Sequence, residues 1–194
     1  SVAKDFISLH LNGKVHDCFA YAFSSGELKN GQLSYRGPVS VDAVRSNVGE
    51  LSASADAVDV VVDYGPARNW PPIRQADGRL SLVQDRLVVT PSKATIYQSE
   101  FQSGQVVLEK LFKFGGRVLS IRDAEIKGST EDALQFLLEG PLFDESNRPE
   151  IDIIAHTGEY TTRFSAELPL TNINASTVNG IGEVTRADLT LPLG

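Results

Sequence analysis

Apolar and polar residues alternate with a period of two along most of the chain, the pattern of half-buried β-strands. Strands are expected over residues 6–11, 32–36, 50–64, 79–83, 86–90, 93–98, 104–112, 117–127, 163–170 and 187–193. In the third, Val58, Val60 and Val62 should share one face, with Asp59, Val61 and Asp63 on the other. In the last two, Phe164, Ala166, Leu168 and Leu170 fall on one side, as do Ala187, Leu189, Leu191 and Leu193. Two stretches break the alternation. Val15, Cys18, Phe19, Ala22 and Phe23 recur at helical spacing over residues 14–24, with Gly26 as a stop. Residues 130–138 form the second expected helix, capped by Ser129 or Thr130, with Glu131 and Asp132 at its positive end and Gly140-Pro141 closing it.

The connections carry turn chemistry. Between Asp63 and Tyr97 a Pro/Asn/Trp loop containing Trp70-Pro71-Pro72 follows an apolar strand, Gly78 precedes Leu80-Ser81-Leu82, and Asp85-Arg86 reverses the chain into Leu87-Val88-Val89. Gly115-Gly116 marks a hairpin turn. Two strands finish alike, with Pro169 before Leu170 and Pro192 before Leu193, and a proline without an N–H marks a strand end or an exposed edge. The expected fold class is mainly β: a long curved antiparallel sheet, an open groove or sandwich-like, with two short helices. Residues 1–194 read as a single segment, and aligning the two helices suggests weak repeats over about residues 1–115 and 116–194.

Such a sheet has one apolar face to cover, and two short helices cover too little of it. The face can close on itself as a sandwich with a sealed core, meet another subunit, or stay open as an apolar trough filled by a ligand.

Charge and residue types remove several functions. The formal net charge of −7 disfavours nucleic acid, whose binding rests on clustered Lys and Arg. The single Cys18 excludes an internal disulfide, and no apolar run is long enough to span a bilayer. The chain begins at Ser1 and holds no Met, so it is read as a fragment of a longer protein whose anchor or export signal lies elsewhere. The histidines are His10, His16 and His156, and His16-Asp17-Cys18, adjacent on a helix, would point in different directions. Asp56, Asp59 and Asp63 sit in a valine-rich strand without the ligand order or central glycine of a calcium loop. The glycines carry no phosphate-binding order, and the carboxylates are scattered. Neither an active site, a metal nor a cofactor is expected.

Three stretches in order carry a resemblance. Residues 14–39 (KVHDCFAYAFSSGELKNGQLSYRGPV) resemble a segment of the AsmA-like superfamily, close to its YhdP branch, in which a short helix is followed by Gly and a Gly-x-Leu strand. Asn69-Trp70-Pro71-Pro72-Ile73 through Leu87-Val88-Val89 is similar to that branch's Trp-Pro stretch, although the approach through Tyr64-Gly65-Pro66 departs from its Phe-x-Pro-Gly form. Residues 124–142 resemble its Asp-x-Leu-x-Phe-Leu helix ending in Pro-Leu, and the Leu-x-x-Pro-Leu strand ends match as well.

The resemblance implies a periplasmic segment of an inner-membrane-anchored, bridge-like protein carrying phospholipid or fatty acyl chains along an apolar β-groove toward the outer membrane. The expected partners are those chains and adjacent β-groove segments of the same protein, with an edge-to-edge homodimer possible in isolation. Leu80, Leu82, Leu87, Val89, Phe164, Leu168, Leu170, Leu189 and Leu191 are the groove candidates, assigned by parity alone. Two alternatives remain at this point: a non-catalytic scaffolding β domain of the cell envelope with a sealed core, and a carbohydrate-active or hydrolytic β protein, against which the scattered carboxylates speak.

Overall fold

The structure, a computed structural model, describes residues 23–63, 71–113, 115–139, 154–172 and 175–190. Among them eight strands form: β1 (Phe23–Arg36), β2 (Glu50–Val62), β3 (Ile73–Val83), β4 (Arg86–Ile96), β5 (Ser99–Glu109), β6 (Val118–Ser129), β7 (Ile154–Pro169) and β8 (Thr177–Thr190). Two helices accompany them, α1 (Val41–Arg45) and α2 (Thr130–Glu139). All eight strands lie in one antiparallel sheet in sequence order, β1 to β8, so each bonds only to its neighbours in the chain. Among the described residues the sheet is open, with β1 and β8 as its two edges. The mainly β class is therefore as expected, and a sandwich with a sealed core is not what the described residues build.

Several strands are longer than the alternation alone suggested. β1 begins at Phe23 and runs through Gly26, which the sequence had marked as a helix stop. The expected strands 86–90 and 93–98 are one strand, β4, that passes through Pro91. A proline is tolerated here because β4 and β5 exchange no ladder pairs between Val89–Val106 and Thr95–Glu100. On the other flank Pro91 stands opposite Gly78, where a Cβ would come within 2.7 Å of the Thr90 carbonyl oxygen and 2.9 Å of the Pro91 Cα. α1 was not foreseen, although its cap is local chemistry: the Ala43 N–H donates to Ser40 Oγ at 3.1 Å. α2 appears as expected, and Ser129 is its cap, accepting from the Asp132 N–H at 3.1 Å. Residues 6–11 and 14–22, Trp70 and Gly140-Pro141 lie outside the described residues.

Left-handed backbone recurs near mid-strand. Asn30, Asp59, Gln75 and Asp123 have φ between 49 and 52°, and Gly104 stands at 137°. Each coincides with a register shift, the mark of a β-bulge. The Asp59 bulge corrects one expectation: Val58 pairs with Glu27 while Val60 pairs with Ala76, which puts the two valines on opposite faces.

Candidate functional site

Residues paired directly across an antiparallel ladder point to the same face, so the register maps both faces of the sheet. One row reads Leu33, Ala53, Leu82, Leu87, Leu108, Leu119 and Leu168 from β1 to β7. The next, two residues further along each strand, reads Ala55, Leu80, Val89, Val106, Ile121, Ala166 and Val178 from β2 to β8. Both rows are apolar throughout and lie on one face. Six strand spacings of about 4.8 Å make each about 29 Å long, close to the thickness of a bilayer's hydrocarbon core.

The opposite face is polar. Asp56 and Arg79 pair at 2.6 Å, Arg86 and Glu109 at 2.8 Å, Glu125 and Arg163 at 2.6 Å, and Lys127 and Glu159 at 3.6 Å. All eight are on this face. The Asn30 amide, followed by the Arg79 guanidinium, holds the Asp56 carboxyl below its ordinary range. Val88 and Val107 form a small apolar island there, with Val107 fully buried. Shallow depressions of about 390 and 310 Å³ on the polar face are lined by such residues as Ser120, Arg122, Thr161 and Arg163.

Beyond the line of bulges the apolar face continues through Val60, Ala76, Phe101, Ala124, Ile126 and Phe164. Phe164 lies over Gly180 of β8, where a Cβ would approach the Phe164 Cβ to 2.6 Å. At this end α2 docks. Ser99 and Tyr160 are on the apolar face, and Ser99 Oγ donates to Asp132 Oδ2 at 2.7 Å while the Tyr160 hydroxyl donates to Ser99 Oγ at 3.2 Å. The Gln98 N–H adds a bond to Asp132 Oδ2 at 3.1 Å, and the Tyr97 hydroxyl donates to Glu139 at 3.0 Å. Burial and then the Glu139 bond push the Tyr97 hydroxyl up to about 12. Burial likewise raises Tyr160.

At the opposite strand ends the connections are tied together. The Gln84 N–H donates to the Leu51 carbonyl at 2.8 Å and its side-chain amide to the Gly49 carbonyl at 2.7 Å. The Leu111 N–H reaches the Asp85 carbonyl at 2.8 Å, and the Leu170 N–H reaches that of Arg117 at 2.9 Å. The β1–β2, β3–β4, β5–β6 and β7–β8 connections thus form one seam.

Of the nine groove candidates, Leu80, Leu82, Leu87, Val89, Phe164 and Leu168 come together on the apolar face. Leu170 sits in the β7–β8 turn, outside the ladder. Leu189 pairs with Ala155 through its backbone, and Leu191 is outside the described residues. Val106, Leu108, Leu119 and Ile121, which join the two groups, were missing from the sequence-based set. Their alternation was visible; the register that sets them beside Leu87 and Leu168 was not.

Among the described residues no group of three or more His, Cys, Asp or Glu could hold a metal ion, and no helix is long and apolar enough to cross a membrane. The Cys18, His10 and His16 side chains lie outside that set. No curated protein and no solved structure matches the chain. The family model described as YhdP protein matches residues 8–193. An open meander with two apolar rows on one face, matched nearly end to end by that model, belongs to the YhdP family.

Proposed function

We propose that this chain is a non-catalytic segment of a cell-envelope protein, holding phospholipid acyl chains on the apolar sheet face and passing them along it. Family membership supports a lipid-transport-related envelope protein. In the fuller form of this reading, the chain lies in the periplasm, belongs to an inner-membrane-anchored bridge and serves traffic toward the outer membrane. The observation that carries the reading is the pair of uninterrupted apolar rows crossing the strands, backed by a face of ion pairs. An acyl chain on such a surface gains about 0.8 kcal/mol per buried methylene. That gain has no directional bonds, so a bound chain can slide from strand to strand. Apolar rows of this extent, most of their side chains half-buried and so partly open to water, otherwise mark an interaction surface.

The test compares faces. Native mass spectrometry on the protein purified from a bacterial host should find phospholipid or fatty acid bound. Leu82→Asp and Leu119→Asp, both in one apolar row, should each reduce retained lipid at least tenfold, since a charge in an acyl-lined site is heavily penalised. Ser81→Asp, one residue away on the polar face, should retain it. Circular dichroism checks that all three stay folded. Equal lipid content in all three variants, or none in the unaltered protein, would remove the reading.

A further inference from the structure

We infer that the β5–β6 turn binds the headgroup phosphate of the phospholipid whose chains lie on the apolar face, an inference that rests on the acyl-face reading above. Residues 110–117 hold Lys110, Lys113 and Arg117 and no acid, in a chain of net charge −7. Lys113 is engaged: its Nζ lies 3.4 Å from Asp85 Oδ2, a buried oxygen with no hydrogen bond of its own. Lys110 and Arg117 form no ion pair among the described residues. Arg117 is instead aimed by its own turn, its Nε donating to the Lys113 carbonyl at 3.1 Å. Two cations are left for an anion from outside.

Their place in the fold selects that anion. Leu108 and Leu119 are the last apolar pair before the turn, and Lys110 and Arg117 are the residues just past the end of β5 and just before the start of β6, Lys110 at φ 59° with its Nζ lying over Gly116 of the same turn. A molecule with its tail on the Leu87–Leu108–Leu119–Leu168 row and its polar end toward these strand ends would bring that end to this turn. The far end of the face offers the reverse. Asp132 and Glu139 of α2 stand there, bonded to Ser99 and Tyr97, and a phosphate beside them would meet like charge. The apolar face therefore has a cationic rim at one end and an anionic one at the other, which orients a phospholipid. The seam holds the cationic rim in shape, because Leu111 is bonded to the β3–β4 turn and Arg117 to Leu170. A rim ordered before binding loses less entropy on capturing a headgroup.

The experiment measures binding of phosphatidylglycerol, and of diacylglycerol with the same acyl chains, to the 194-residue chain and to Lys110→Gln/Arg117→Gln. The double variant should lose roughly thirtyfold in affinity for phosphatidylglycerol, one charge contact per cation, and nothing for diacylglycerol. Lys110→Arg/Arg117→Lys, which keeps both charges, should bind both lipids as the unaltered chain does, and added salt should weaken only phosphatidylglycerol. Unchanged phosphatidylglycerol binding by the glutamine variant, with diacylglycerol still bound, overturns the headgroup site and leaves the acyl face standing. Failure of the unaltered chain to bind either lipid overturns the acyl face and this inference together. Displacement of diacylglycerol by inorganic phosphate would also overturn it, since the cations would then govern something other than a headgroup.

Discussion

The Tyr97 hydroxyl, bonded to Glu139 and half-buried, ties the β4–β5 turn to the last turn of α2. Its folded value near 12 lies above the unfolded value of 10.0, so the folded chain keeps a proton that the unfolded chain releases. The stabilising contribution is complete below pH 10 and is lost as pH rises toward about 12. Denaturation midpoints should fall across that window, and Tyr97→Phe should flatten the fall. A parallel slope in both proteins would show that Tyr97 has no part in it. Asp132 works at the same place by different means, its carboxylate taking two donors from Ser99 and Gln98 within a buried site. Sequence reading put Asp132 on α2 for its charge near the helix start. Its second task, bonding a strand end thirty-three residues back, is a long-range contact with no local signature.

At the scale of elements, Gly78 and Gly31 make a matched pair of tests. A Cβ at Gly78 would strike the backbone of Thr90 and Pro91, whereas one at Gly31 meets nothing within 4 Å. Gly78→Ala should cost about 1–3 kcal/mol in urea denaturation, and Gly31→Ala well under 1. Equal costs would mean that β3 and β4 separate freely at Pro91. The strands themselves were legible because period-two alternation survives wherever the ladder is regular: Leu80, Leu82, Leu87 and Val89 were placed on one face by parity, and their pairing agrees. Parity fails where a bulge intervenes. Asp59 at φ 50° adds one residue to β2 and turns Val58 away from Val60, and nothing in an Asp-Val repeat announces it. Pro91 misled in the other direction, suggesting two strands where an unpaired stretch of β4–β5 allows one.

For the whole molecule, burial is thin and concentrated. The buried apolar residues, Val107, Leu108, Ala124 and Ala166 among them, lie chiefly in β5 to β7, while every described side chain of β8 from Thr177 to Arg186 is exposed. Amide hydrogen exchange should therefore be slowest in β5 and β6 and fastest along the edge strands β1 and β8, since opening an edge strand exposes little new apolar surface. Uniform protection across the sheet would contradict that ranking. The mainly β, antiparallel architecture follows from composition and alternation, but the choice between open sheet and sealed sandwich does not. That choice depends on whether the two halves of the sheet fold over each other, which only the register and the bulges determine. The strict neighbour-to-neighbour order has a consequence for biogenesis. Among the described strands each finds its partner in the next one made, so the sheet can zip up from β1–β2 onward as it emerges from the ribosome or a translocation pore. Low separation between bonded segments favours rapid folding of this kind. At every stage of such growth the newest strand is the unfinished edge, and it waits longest after β6, whose partner β7 begins only at Ile154, beyond α2.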